Sequence, residues 1–178
     1  IIKRSYDCFS VSKVLAVIAS DTIPIPSPNG VPLSGKTTAA TTNKLVDVGA
    51  DFSNVVVGDI VYNTTDNTVA TVSEVETSTI LVLCADIFTS PEDYIVFQAG
   101  PIFEQRIDSS SGCLLYVGSN EGTMDVAKSY VDVKVKTVNG DDIVFSNFPV
   151  GEYLPVQITN LFSTGTDAAA RFNSVAIW

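Results

Sequence analysis

Residues 131–166 read VDVKVKTVNGDDIVFSNFPVGEYLPVQITNLFSTGT, and the register of this stretch decides the fold. Val131, Val133 and Val135 alternate with Asp132, Lys134 and Lys136, the period-2 pattern of a strand with one buried face. Past Asn139-Gly140, Ile143 and Phe145 alternate with Asp142, Val144 and Ser146. A two-residue Asn-Gly turn would set Lys134 opposite Phe145 and Lys136 opposite Ile143. A three-residue loop, Asn139-Gly140-Asp141, sets Val135 against Phe145 and Thr137 against Ile143. A one-residue slip moves every side chain to the other face, so the longer loop is the reading adopted. After a turn at 149–151, Leu154, Val156 and Ile158 share one face of a next strand, which predicts a β-meander. Pro155 has no N–H to donate, so it belongs at an edge, a strand start or a bulge.

Working outward, 178 residues suffice for one large or two small domains with real cores. Hydrophobic residues make up 46% and charged ones 17%, so the whole chain is able to fold. Between 45 and 97, short apolar runs at 55–57, 60–62, 69–75, 80–84 and 94–97 are separated by turn signals. That spacing argues for a small barrel or sandwich. The expected class is therefore all-β: two small antiparallel β-barrel or sandwich units with an extended N-terminal segment. The boundaries are an N-terminal strand or extended arm over 1–44, a barrel-like unit over 45–98, a linker over 99–112 and a sandwich unit over 113–178. Within the arm, Phe9 to Ile18 reads equally as a strand or a short buried helix. Pro24, Pro26 and Pro28 demand extended chain. A loop is expected over 119–127 and one helical turn over 167–172. In the last strand Val175 and Ile177 face the core, with Trp178 on the other side.

Formal net charge is -10, which argues against nucleic-acid backbones and anionic membrane surfaces, where an excess of Lys and Arg is needed. No apolar run approaches 18 residues, so no transmembrane helix is expected. A longer leader or initiator is expected ahead of Ile1. Lys3-Arg4 before the apolar run 14–19 faintly suggests a signal peptide, but no cleavage site follows. Cys8, Cys84 and Cys113 are odd in number, widely spaced and without a CxxC pair. They read as buried free thiols, with neither a zinc site nor a disulfide framework.

The chain has no histidine, which removes Ser-His-Asp and Cys-His machinery. Asp141-Asp142 and Glu92-Asp93 are adjacent carboxylates that diverge in a strand or face water in a turn. GVPLSGKT, from Gly30 to Thr37, matches the letters of a phosphate loop. Prolines precede and interrupt it and no helix former follows, so it reads as a chance match. Asp47, Asp51, Asp59 and Asp66 lie near loops without the spacing of a calcium loop. No catalytic residue, cofactor or metal is expected. Tyr62, Tyr153, Pro155 and Trp178 are the candidate interface residues, and an exposed Tyr62, Tyr153 or Trp178 would favour glycan binding.

Two stretches carry a resemblance. Leu115-Tyr116-Val117-Gly118, 131–135, 140–145, Asn147-Phe148-Pro149-Val150-Gly151, Leu154-Pro155-Val156-Gln157-Ile158, Gly165-Thr166, Ala168 and Val175-Ala176-Ile177-Trp178 form one pattern. It resembles small phage-particle proteins of the gene-transfer-agent spike-base kind, and the chain departs from it by the extra residues 169–173. Residues 42–47, Asp51-Phe52, Gly58 to Asn63 and Asp86-Ile87-Phe88 are similar to a β module that recurs in tailed-phage virion proteins. The resemblance implies a virion structural protein at the head surface: a capsid decoration, cement or minor head protein, or the base of a head spike or fibre. Its implied partners are the major capsid protein or other virion proteins. The alternative it leaves open is a tail-fibre adaptor or receptor- and glycan-binding module. Exposed strand edges imply a homo-oligomer, and a trimer fits either reading.

Overall fold

The computed structural model describes residues 13–26, 32–89, 91–98, 112–118, 130–171 and 173–178. The expected loop at 119–127 and nearly all of the 99–112 linker lie outside the described residues. The fold is all-β, with curled antiparallel sheets and, among the described residues, a single four-residue helix.

The first core is wrapped by one seven-stranded sheet. Its strands are β2 (Pro32–Lys36), β3 (Ala39–Thr41), β4 (Lys44–Val46), β5 (Ile60–Asn63), β6 (Thr68–Thr77), β7 (Ile80–Leu83) and β8 (Asp93–Phe97), ordered β2-β8-β5-β6-β7-β4-β3. Of the 1–44 segment, the described residues supply strands to the sheets. β2 pairs with β8 at one edge of the sheet and β3 pairs with β4 at the other, only Thr37 and Thr38 lying between them. Two residues cannot span a flat sheet of seven strands spaced about 4.8 Å apart, so the sheet curls into a half-barrel. The long strand β6 makes the same bend. It pairs with β5 through 68–71, then with β7 through 72–77, and slips register twice on the way, as bulges do where a sheet must coil.

Hydrophobic alternation decides what faces inward. Leu45, Val61, Ala70, Val72, Leu81, Leu83, Tyr94 and Val96 close over Phe52 and Phe88 from the connecting loops. Each fully buried aliphatic side chain here contributes roughly 1.5–3 kcal/mol. β5 is buried along its whole length, so Ile60 and Tyr62, which point away from this core, are covered too.

The second core lies between two three-stranded sheets. One is ordered β11-β10-β12, from β10 (Tyr130–Thr137), β11 (Asp142–Pro149) and β12 (Ile158–Leu161). The other is β1-β13-β9, from β1 (Val14–Ala16), β9 (Leu114–Tyr116) and β13 (Val175–Ile177). Val131, Val133 and Val135 of β10 face the core with Leu115, Leu154, Ile158, Leu161 and Ala176.

The β10–β11 hairpin corrects the expected register. Val135 lies opposite Ile143 and Val133 opposite Phe145, two residues from the pairing expected, so odd positions still share a face. The loop has three residues, but they are Val138-Asn139-Gly140. Gly140 at φ +91° takes the left-handed third position, which glycine reaches without strain. The meander is also overturned, since β12 pairs with β10 on the side away from β11. The chain first runs antiparallel along β9, with Leu154 N donating to Leu115 O and a Tyr116–Tyr153 bridge. It resumes with Cys113 opposite Ile158, a two-residue slip with Pro155 inside it. The missing N–H of Pro155 makes that the natural place to break the ladder.

The last strand also differs in phase. Ser174, Ala176 and Ile177 are buried, and Val175 and Trp178 are partly exposed. β13 is the middle strand of its sheet, with β1 on one side and β9 on the other, so both of its edges are paired, and Ala176 and Trp178 are the residues that turn to the second core. The one helical turn, α1 (Ala168–Arg171), follows Asp167, whose carbonyl accepts from Ala170 and Arg171.

Candidate interaction surface

The four candidate interface residues do not stay together. Tyr62 is buried, 2% exposed, with its ring edge-on to Phe97 at 5.0 Å. It is not a surface residue, because the chain around Ile18, in the segment read from sequence as a strand or extended arm, comes against its hydroxyl. Burial pushes its phenol well above the usual range, and the Ile18 backbone and Cys113 are the groups it senses. Neither completes a hydrogen bond, so the hydroxyl is buried without a partner. Trp178 is half-covered against the second core, and its backbone exchanges hydrogen bonds with Lys13.

Tyr153 and Pro155 do share a surface. Tyr153 is 54% exposed, with its ring tilted against Tyr116 at 5.3 Å. The turn that leads to it begins at Pro149, opposite the exposed Tyr130. Sequence reading missed Tyr116 and Tyr130. Tyr116 was visible as the aromatic of Leu115-Tyr116-Val117-Gly118, but its partner lies 37 residues on and is supplied by a long-range bridge.

The polar groups inside the first unit are spent on structure. Tyr94 donates to Asp47 Oδ2 at 2.8 Å, and Asp47 Oδ1 accepts from Gly49 N. Burial, then the Asp47 carboxylate, push the Tyr94 phenol well above its usual range. Glu92 is buried and accepts from Asn63 Nδ2 and from the Thr89 amide and hydroxyl. Its own N–H donates to Thr37 Oγ1, which ties β8 to the β2–β3 corner. Asp66 beside it has its carboxyl pK raised, first by desolvation and then by Glu92. The GVPLSGKT letters fall on β2 and Thr37, an extended strand with Lys36 directed to Asp93 at 4.0 Å. Among the described residues no group of three or more His, Cys, Asp or Glu side chains is placed to hold a metal ion.

The thiols divide. Cys113 is buried, and desolvation pushes it up to about 12. Cys84 is exposed, contrary to the expectation of a buried thiol, because it lies just past the end of β7, where its sulfur accepts from the Thr71 amide and hydroxyl. Cys8 lies outside the described residues.

Charge is distributed unevenly. Residues 32–98 hold nine carboxylates and two lysines, so they carry -7 of the -10. Asp47, Asp59 and Glu92 are buried, leaving Asp51, Asp66, Glu74, Glu76, Asp86 and Asp93 at the surface. Both lysines lie beside carboxylates, Lys36 by Asp93 and Lys44 by Glu76. Val48 and Val57, 75% and 60% exposed, project from loops of the same unit. No helix of the described chain is long and apolar enough to cross a membrane. No family model, curated protein or solved structure matches the chain.

Proposed function

We propose that the chain is a structural protein of a tailed-phage virion, a capsid decoration or minor head protein that acts by surface contact rather than catalysis. The observation that carries this reading is the half-barrel's surface: six exposed carboxylates, both lysines engaged, and exposed valines on its loops. Such a surface suits a positively charged protein face, where complementary potential sets orientation more than raw affinity. The major capsid protein is the partner of that chemistry implied by the residue patterns at 42–88 and 115–178. Repetition over a lattice would make weak single contacts effective together.

Cryo-electron microscopy of the particle that contains this chain tests the proposal. Regular density over the capsid shell, with the half-barrel toward the shell, is the expected result. Density confined to tail or portal would overturn the head assignment. A second reading, a glycan-binding tail adaptor, draws on the exposed Tyr153 ring over Tyr116, since aromatic faces are the usual platforms for apolar ligand surfaces. It predicts saturable binding of host polysaccharide, lost on Tyr153→Ala.

A further inference from the structure

Residues 13–26 precede the first unit in sequence but complete the second in space. The whole half-barrel, with its own core, lies between this segment and the unit it closes. β1 forms the edge of the β1-β13-β9 sheet, with Lys13 and Trp178 exchanging backbone hydrogen bonds just beyond the ladder. The segment then crosses to the other sheet: Val17 N donates to Ser174 O, Ser20 N to Leu161 O and Ile25 N to Thr159 O. Asp21 receives the Thr164 amide and hydroxyl at 2.8 and 2.7 Å. Val17 enters the core, with Leu15, Ala19 and Ile25 packed against it. The segment is thus a strap laid in a cleft whose walls are β13 and β12.

Two features make this strap easy to release and costly to leave out. Its grip is shallow, since only Val17 and Pro26 of residues 13–26 are buried. Its seat is imperfect, since the buried Tyr62 hydroxyl beside the Ile18 backbone lacks a hydrogen bond of good geometry, and releasing the strap would let water satisfy it. Removing the strap, however, uncovers the core around Val17 and leaves β13 with an open edge, a template for another strand.

We propose that residues 13–26 are an exchangeable strap and that the β13–β12 cleft is its acceptor, so that the strap of a second copy fills the cleft and copies join by strand exchange. The chemistry the cleft selects is an extended segment with a small branched side chain at the Val17 position and a carboxylate four residues on for Thr164. The described strap ends at Pro26 and β2 begins at Pro32, a reach of no more than roughly 22 Å. Exchanged copies therefore sit side by side.

The test uses the full chain with Asp21→Cys and Thr164→Cys, in a background of Cys8→Ser and Cys84→Ser. After oxidation at rising protein concentration, non-reducing electrophoresis reads where the strap sits. Exchange predicts a disulfide-linked dimer, or a closed ring of copies, whose fraction rises severalfold over a tenfold concentration range. Monomer closed on itself at every concentration overturns the proposal. Hydrogen exchange on the unsubstituted chain gives an independent reading. The amides of Val17, Ser20 and Ile25 should exchange together and at least a hundredfold faster than those of Val133 and Val135. Equal protection in both sets would mean that the strap leaves only on global unfolding, and the proposal would fail.

Discussion

Tyr94 donates its hydroxyl to Asp47 Oδ2 at 2.8 Å directly over Gly35. A Cβ on Gly35 would stand 2.5 Å from the Tyr94 hydroxyl oxygen and 2.7 Å from Asp47 Oδ2. The glycine of the phosphate-loop letters is there because a strand and a buried hydrogen bond leave no room for a side chain.

Gly35→Ala should therefore destabilise the half-barrel by about 1–3 kcal/mol, the usual range for overpacking a closed site. Tyr94→Phe alone should cost about 1–2 kcal/mol through the acceptor left on buried Asp47. In the double variant, loss of the hydroxyl removes the nearest clash, so the two costs should combine to less than their sum. Urea denaturation checks this, and full additivity would show that the clash is relieved elsewhere.

The two buried phenols set a high-pH limit. In an unfolded chain Tyr62 and Tyr94 would ionise near 10.0, and both are raised in the fold, chiefly by burial. A raised folded pKa means that their stabilising share is complete below pH 10 and is lost as pH climbs toward the folded values. Stability should hold to about pH 10 and then fall steeply. In Tyr62→Phe with Tyr94→Phe the fall should be shallower. Equal slopes in the two proteins would rule out these phenols as its cause.

Thiol reagents should separate the cysteines. In a Cys8→Ser chain, Cys84 should react within minutes at pH 8, while Cys113, buried and pushed up to about 12, should react only as the second unit opens. The Cys113 rate should rise with added urea. Rapid labelling of Cys113 in native buffer would contradict its placement beside Ile158.

The aromatic face should bear on binding rather than on folding. Tyr153 is 54% exposed, so Tyr153→Ser should change stability by no more than about 0.5–1 kcal/mol. The same substitution should lower occupancy on the particle or binding to polysaccharide if the face is used. Unchanged occupancy and unchanged glycan binding would remove it from the interaction surface.

Much of this architecture was legible in the chain alone, because it depends on local physics. Apolar runs between turn signals located β5, β6, β7 and β8, and period-2 alternation located β10, within a residue or two, and the side chains at 131, 133 and 135 could face only one core. Gly140 announced a tight loop because few residues tolerate its φ of +91°. Pro155 announced a broken ladder because it lacks a donor. The absence of histidine removed whole classes of chemistry without any coordinates.

What only the tertiary structure decided was which strand lies beside which. Backbone hydrogen bonds are chemically alike, so nothing in the local sequence tells β12 to pair with β10 rather than β11, or residues 13–26 to pair with β13. Those choices follow from the joint burial of Val17, Leu115, Leu161 and Ala176, residues far apart in sequence. The same long-range packing hides Tyr62, which its sequence neighbours leave ambiguous, and leaves Tyr153 in solvent. It also makes Gly35 a spacer beneath Tyr94 and Asp47, a role set by contacts 59 and 12 residues away in sequence.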